Sequence, residues 1–341
     1  MKAAVLVKHG KAEEAFELRE MPMPEPGPDQ VLIEVEASGL NFADVLARMG
    51  KYKDAPAPPS VIGYDVVGRI TAIGTNIKDY KEGQRVVALT RFGGYAEYAL
   101  ADRRGLSVIS EEMDATEATA LATQYSTAYY AGGDLMNMYP GEHVLVHAAA
   151  GGVGTALVQW AKHRGCVVYG TAGSAKKLEY LREQGVDHPI NYRESDWAEE
   201  VKKIRGDKRL DVIFDPIGAK YVKIGFALLG SGGRFVTFGA SSFTNANNMF
   251  QKVRLGLQFG FYHPAKFLMT NKSMLGVNML RLADYRPDAF SRVMTQVSEY
   301  AKEGIFKPTA GGTFPADEIA KAHAFLESRK SIGKVAVRWK D

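Results

Sequence analysis

A glycine-rich turn between an apolar run and a helix constrains this chain more than any other feature. Residues 143–149 form a short apolar run, and Thr155–Arg164 reads as a helix closed by Gly165. Between them stands His147-Ala148-Ala149-Ala150-Gly151-Gly152-Val153-Gly154. A strand that turns directly into a helix presents unpaired N–H groups and the positive end of the helix dipole, which suits phosphate. The turn is a dinucleotide fingerprint with Ala149 in place of the first glycine. Gly151 would let the backbone approach a pyrophosphate, and Gly154 would let the helix pack against the strand. The candidate cradle is Ala150, Gly151, Gly152, Val153 and Gly154. The competing reading is a packing turn in a sheet that binds nothing.

The rhythm around the turn supports the first reading. After it come a β-branched run at Cys166–Tyr169, a helix capped by Ser174 and running to Gln184, and a helix over Asp196–Arg205. Val212–Phe214, a helix near Tyr221–Leu229 and Arg234–Phe238 follow. Strands alternating with helices imply a doubly wound parallel sheet.

The first third has another texture. Ala3–Val7, Val31–Ala37, Val66–Ile73, Arg85–Leu89 and Tyr95–Leu100 are short strand-like runs set between glycines and prolines, as in a β-rich, barrel-like domain. Residues 22–28 read as a stiff proline-rich connector. After about residue 283, two amphipathic segments and a last strand, Lys334–Arg338, are expected to return to this first domain. The predicted division is therefore 1–122 with 283–341, and 123–282. A length of 341 residues accommodates two such domains.

Composition removes several classes of function. One cysteine excludes a disulfide framework and any site needing several cysteines. A net charge of +4 gives no reason to expect nucleic acid. No apolar run approaches the roughly 18 residues of a membrane span. The opening residues read as a strand rather than a signal peptide, so the expected location is the cytoplasm. His143 and His147 lie about 13 Å apart if they share a strand, too far to share a metal ion. Cys166 reads as a buried structural residue, and Lys202, Lys203, Arg205, Lys208 and Arg209 as a solvated face. No Gly-x-Ser-x-Gly elbow supports a hydrolase.

The second strand indicates which dinucleotide. NAD sites place an acid about 20 residues past the glycines, on the ribose hydroxyls. No Asp or Glu occurs here between Glu142 and Glu179. Gly173, Ser174 and Lys177 stand there instead: a hydroxyl, a helix N-terminus and a cation, the makings of a 2′-phosphate socket, with a solvated helix position as the other reading of Lys177. The expected cofactor is NADPH.

Several segments together resemble a known family. Gly39-Leu40-Asn41-Phe42-Ala43-Asp44, Glu82-Gly83-Gln84-Arg85-Val86 and the Ala148–Gly154 loop are similar to the zinc-free quinone oxidoreductase branch of the medium-chain dehydrogenase/reductases. Asn191-Tyr192-Arg193 and Leu326-Glu327-Ser328-Arg329 agree with it, and the resemblance covers nearly the whole chain. Within the branch the chain is most similar to the vesicle amine transport protein group, through Asn41–Arg48, His147–Gly154 and the aromatic, basic segment from about Phe250 to Lys272.

The resemblance implies an α/β fold with a GroES-like β-rich catalytic domain built from both chain ends and a Rossmann domain between. It places Asn41, Tyr64 and Thr123 where metal-dependent relatives carry zinc ligands, so no metal is expected. It puts Lys177 and Tyr192 on the 2′-phosphate, Thr127 and Asn278 near the nicotinamide, and Phe238, Gly239, Ala240 and Ser241 beside the cofactor. Arg329 and Lys334 would reach the cofactor from the C-terminal segment. Pro216 departs from some relatives, which carry a small hydroxyl residue there. A homodimer is common in the family.

Without a metal to polarise an alcohol, hydride from the nicotinamide needs an acceptor that is already electrophilic: a quinone, or an alkene conjugated to a carbonyl. The protein then supplies orientation and a hydrogen-bond donor for the oxygen that gains charge. Asn41 and Tyr52 are the candidates, and Tyr52 or solvent can supply the proton. Set against this, Asn41 would be a turn residue and Tyr52 a wall aromatic. Two other functions remain open. One is reduction of enals, enones or enoyl thioesters. The other is a catalytically idle NADPH-binding protein at membranes, suggested by Phe250, Phe259, Phe261, Tyr262 and Phe267 among Lys252, Arg254 and Lys266. The same stripe also suits a packed helix pair or a subunit contact.

Overall fold

Alternating apolar residues and β-branched runs give residues 1–108 eight strands: β1 (Lys2–Leu6), β2 (Phe16–Glu20), β3 (Gln30–Leu40), β4 (Ser60–Val61), β5 (Asp65–Ile73), β6 (Arg85–Leu89), β7 (Tyr98–Asp102) and β8 (Leu106–Val108). The computed structural model describes residues 1–246 and 248–340, without the side chains of residues 245 and 252. β2 pairs antiparallel with β1, which also pairs with β4. The expected strand at Tyr95–Leu100 begins only at Tyr98. Tyr95 instead lies in a tight crossing, its N–H bonded to the carbonyl of Ile62 at 3.0 Å.

The next six strands are β9 (His143–Val146), β10 (Val167–Ala172), β11 (His188–Asn191), β12 (Leu210–Asp215), β13 (Leu229–Thr237) and β14 (Ser273–Gly276). They form one parallel sheet in the order β11-β10-β9-β12-β13-β14. The chain leaves β9 toward β10 on one side and returns to β12 on the other. The strand order therefore reverses at β9, where doubly wound sheets bind ligands at the carboxyl ends of their strands. Leu145, Ile213 and Phe235 anchor the core beneath the helices, with Trp197, Val201, Val222 and Phe226 packed on them.

The chain then returns through the helix Pro287–Lys302 to β15 (Ala310–Pro315) and β16 (Lys334–Arg338). β16 lies between β15, parallel, and β3, antiparallel, with Val335 opposite Leu40. It completes a seven-stranded sheet with β3, β5, β6 and β8 in line and β7 also on β3. Residues 1–126 and 279–341 make one unit and 127–278 the other. These borders stand four residues from the sequence expectation on each side (126 against 122, 279 against 283). Near the border the helix opens into two π-turns, Leu121–Tyr125 and Tyr130–Asp134. Their residues read as an ordinary helix in the sequence.

Candidate functional site

In the 127–278 unit, the candidate cofactor residues gather at the carboxyl ends of the parallel strands. β9 ends at Val146, and the chain turns through Ala148, which takes a left-handed φ of 52°. A non-glycine residue there is strained, and the turn is held from the side. The Ala149 N–H donates to the Thr171 carbonyl at 3.0 Å, and the Ala148 N–H to its hydroxyl at 3.3 Å. The helix Gly152–His163 then starts from Gly151 with no side chain capping it, the kind of helix terminus that suits an anion. A Cβ on Gly154 would lie 2.3 Å from the Ala148 carbonyl oxygen, a backbone atom that cannot give way.

Next to the turn, Ser174 caps the helix Ala175–Glu183, its hydroxyl accepting the Lys177 N–H at 3.4 Å. A Cβ on Gly173 would lie 2.6 Å from the Tyr192 hydroxyl and 3.2 Å from Nε of Arg193. Lys177 is held below its ordinary pKa by burial and by the positive charge of Arg193. Two cations, a hydroxyl and a phenol thus lie beside the turn, a set of groups that suits a phosphate. Arg193 was not among the expected site residues; its adjacency to Tyr192 was the only signal available.

Further along the same edge, Asp215 ends β12 and accepts the N–H groups of Ile217 and Gly218, each at 2.9 Å. Burial raises it to about 6 despite those bonds. The Ser241 N–H reaches the Pro216 carbonyl at 3.1 Å, and the Phe238 N–H reaches Asp215 at 3.1 Å. Phe238, Gly239, Ala240 and Ser241 are thereby folded over the end of β12. Asn278 follows β14, and Thr127 sits buried between the two π-turns.

His143 and His147 have separate roles. His143 Nδ1 meets the Tyr169 hydroxyl at 3.0 Å, and His147 Nδ1 meets the Thr171 hydroxyl at 3.1 Å. Burial pushes His147 down to about 3, so it is neutral, packed at right angles to Trp197 and Tyr221. Cys166 is buried and its thiol is raised to about 11, as suits a structural residue.

The unit built from both chain ends holds a second cluster. Asn41 follows β3, Asp65 opens β5, Thr123 lies in the first π-turn and Lys334 opens β16. The Asn41 Nδ2 donates to Asp65 Oδ2 at 2.7 Å. The Lys334 ammonium, fully buried, donates to Asn41 Oδ1 at 3.1 Å and to Asp65 Oδ2. The Thr123 hydroxyl donates to Asp65 Oδ1. Asp44, one turn on, accepts the Asn41 backbone N–H at 2.7 Å. Burial raises the Asp44 carboxyl to about 7, against the lowering effect of that bond. Tyr64 is buried and its phenol is raised well above 10.

Two expectations change here. Lys334 was expected on the cofactor; its ammonium is instead taken up inside the sheet by Asp65 and Asn41. Asn41 is more than a turn residue, because its carboxamide bonds Asp65 through one N–H and Lys334 through its oxygen. Tyr52 is half-buried against the same core, its phenol raised to about 12 by burial and by Asp54 and Asp44. Arg329, at φ 58°, lays its guanidinium 5.9 Å from the ring of Phe42.

A zinc ion does not fit this cluster. Asn41, Thr123 and a protonated Tyr64 are poor zinc ligands, and an ammonium already lies among them. Among the described residues, no group of three or more His, Cys, Asp or Glu could hold a metal.

Residues 27–111 match the family described as alcohol dehydrogenase GroES-like domain, and residues 152–298 the family described as zinc-binding dehydrogenase. The chain is 36% identical to the synaptic vesicle membrane protein VAT-1 homolog of Rattus norvegicus, over 92% of this chain and 77% of that protein. It is 31% identical to the quinone oxidoreductase of Homo sapiens, over 94% and 92% of the two. The crystal structure of Escherichia coli quinone oxidoreductase complexed with NADPH superposes with a TM-score of 0.86 at 26% identity, covering 99% of this chain and 100% of that one. The chain belongs to the medium-chain dehydrogenase/reductase superfamily, in the branch that contains the quinone oxidoreductases and the VAT-1 homologs. It is an α/β protein with a GroES-like domain and a Rossmann-type parallel sheet, of an oxidoreductase family.

Proposed function

We propose that this protein is a zinc-independent, NADPH-dependent reductase of a quinone or a related conjugated carbonyl compound. The observation that carries the reading is the Lys334–Asp65–Asn41 cluster, in which a buried ammonium and a carboxylate hold Asn41, one of the three residues that the resemblance sets at the zinc-ligand places of metal-dependent relatives. The cofactor side is supported by the uncapped helix at Gly151 and by Lys177, Tyr192 and Arg193 around Gly173. NADPH supplies a hydride when bound. Arg193 and Lys177 would hold the 2′-phosphate, and the Gly152–His163 helix terminus the pyrophosphate. The remaining N–H of Asn41 Nδ2 would donate to the acceptor oxygen as it gains charge. Tyr52, protonated across the neutral range, would return a proton, with solvent as the other source.

The test is NADPH oxidation against quinones, enals and enoyl thioesters, with metal content measured on the same preparation. Turnover of a quinone or enone by protein free of zinc is expected, and activity should persist after prolonged chelation. Stoichiometric zinc whose removal abolishes turnover would overturn the zinc-independent reading. Preference for enoyl thioesters would move the chain to the acyl reductases.

The expected homodimer is part of the same proposal. β14 ends the parallel sheet with one edge unpaired among the described residues, an edge a second copy can extend. Light scattering in solution tests it.

One observation favours a second, membrane-associated role within a cytoplasmic location. From residue 216 to residue 283 there is no acid, only eight Lys and Arg. The helices Met249–Phe259 and Pro264–Thr270 form a packed pair, with Phe259, Tyr262 and Phe267 turned to the core. Phe250, Phe261, Leu268 and Met269 are at least 77% exposed on the same segment. Apolar groups among cations suit an anionic bilayer surface. Lys252 lies outside the described side chains. No helix among the described residues is long and apolar enough to cross a membrane. Sedimentation with anionic but not neutral vesicles would support this role.

A further inference from the structure

We propose that Lys334 is a positioning residue that fixes which way the Asn41 carboxamide faces; this rests on the reading of Asn41 as the donor to the acceptor oxygen. A carboxamide has two nearly isosteric ends, and its hydrogen-bond partners decide between them. An ammonium can only donate, so the end of Asn41 facing Lys334 at 3.1 Å is the oxygen. The nitrogen then faces Asp65, which as a carboxylate can only accept, at 2.7 Å. One N–H of Nδ2 is used on Asp65, and the other is left pointing in a direction the cluster determines.

The surroundings enforce this arrangement. Lys334 and Asp65 are both fully buried, so neither side chain can swing out to water. The Thr123 hydroxyl occupies the other oxygen of Asp65 and stops the carboxylate from rotating away. Gly39, on the strand beside β16, has no Cβ to obstruct the lysine stem. The Asp44 carboxylate holds the Asn41 backbone from the other side. The ammonium also polarises the amide through its oxygen, which strengthens the remaining N–H as a donor. A metal would fix its ligands by coordination; here a salt bridge fixes one amide.

The test is a double-mutant cycle on reduction of a conjugated ketone by NADPH. Asn41→Ala should lower kcat by about tenfold. Lys334→Met should lower kcat by a similar factor and leave NADPH affinity unchanged, because a buried carboxylate that loses its cation no longer stays where it holds the amide nitrogen. The combined variant should be no slower than the slower single variant, since both remove one function. Because Lys334→Met strands a buried carboxylate, the same measurement is made on Asp65→Asn with Lys334→Met, a neutral pair that can fold where the single variant does not. That pair should show the same kcat loss with near-normal KM.

If Asn41→Ala is slow while both Lys334→Met and the neutral pair turn over at the unmutated rate, the positioning role is wrong and the donor role of Asn41 stands. If Asn41→Ala is unaffected, the donor reading itself fails and the positioning role with it. Losses that multiply in the combined variant would show Lys334 acting independently of Asn41 and would also overturn the proposal.

Discussion

Gly39 and Lys334 share one space: a Cβ on Gly39 would stand 2.3 Å from Cε of the lysine and 2.7 Å from the Thr119 hydroxyl. A lysine tip normally moves aside, but this one is buried and tied to Asp65 and Asn41. Gly39→Ala should therefore destabilise the unit by about 1–3 kcal/mol, the usual cost of overpacking. Chemical denaturation measures it; an unchanged midpoint would mean that the lysine stem has room.

Cofactor discrimination should depend on two cations. Lys177→Ala and Arg193→Ala should each weaken NADPH binding by about tenfold, near 1.4 kcal/mol, through loss of a charge-assisted phosphate contact. NADH binding should hardly change in either variant. Calorimetric titration with both dinucleotides decides, and equal losses for NADH and NADPH would place these side chains away from the 2′-phosphate.

Asp44 should make stability depend on pH in a particular direction. Burial raises its carboxyl from 3.8 to about 7 in the folded protein. The folded state thus holds the proton more tightly than the unfolded chain, so the group's contribution is complete below about 3.8 and is lost as pH rises toward 7. Asp44→Asn keeps an acceptor for the Asn41 N–H and cannot ionise. Its melting temperature should gain on the unmutated protein between pH 4 and 7, then level off. His147 and His323, both held down to about 3 by burial, act in the opposite sense in both proteins and cancel in the difference. A pH-independent difference would refute the assignment.

Tyr52 is raised to about 12 and so remains a phenol throughout the working range. Tyr52→Phe should lower kcat for a small enone by about tenfold, with NADPH affinity retained. A more reactive quinone should lose less. Unchanged turnover of both acceptors would make Tyr52 a wall residue.

The strands and helices around the glycine turn are legible in the sequence, and the long-range contacts of the other unit are not, for physical reasons. A strand, a glycine turn and a capped helix lie within about thirty residues, so local propensity and spacing expose the cradle and Ser174 directly. Arg193 escaped because an arginine beside a site looks like any surface arginine until Gly173 brings it near Lys177. The burial of Lys334 is not legible because its partners are 269 and 293 residues away, and no local pattern reports a pairing at that distance. The π-turn that aims Thr123 at Asp65 is equally silent, since its residues read as an ordinary helix. The Phe16–Glu20 strand is mostly exposed and lacks the apolar alternation that reveals its neighbours.

The position of β16 between β15 and β3 has a consequence for biogenesis. On the ribosome, all six strands of the parallel sheet emerge before β16 does, so the cofactor-binding unit can close while translation continues. Asn41 and Asp65, made early, wait for a lysine 293 and 269 residues downstream. Until it arrives, Asp65 has no cation beside it, and the Ala37–Leu40 end of β3 lacks its antiparallel partner. The nascent chain thus passes through a stage with a finished nucleotide fold and an open sheet edge, the form most in need of a chaperone. Truncations that remove β16 should therefore still bind dinucleotide while their other half is recognised by the cell as unfinished.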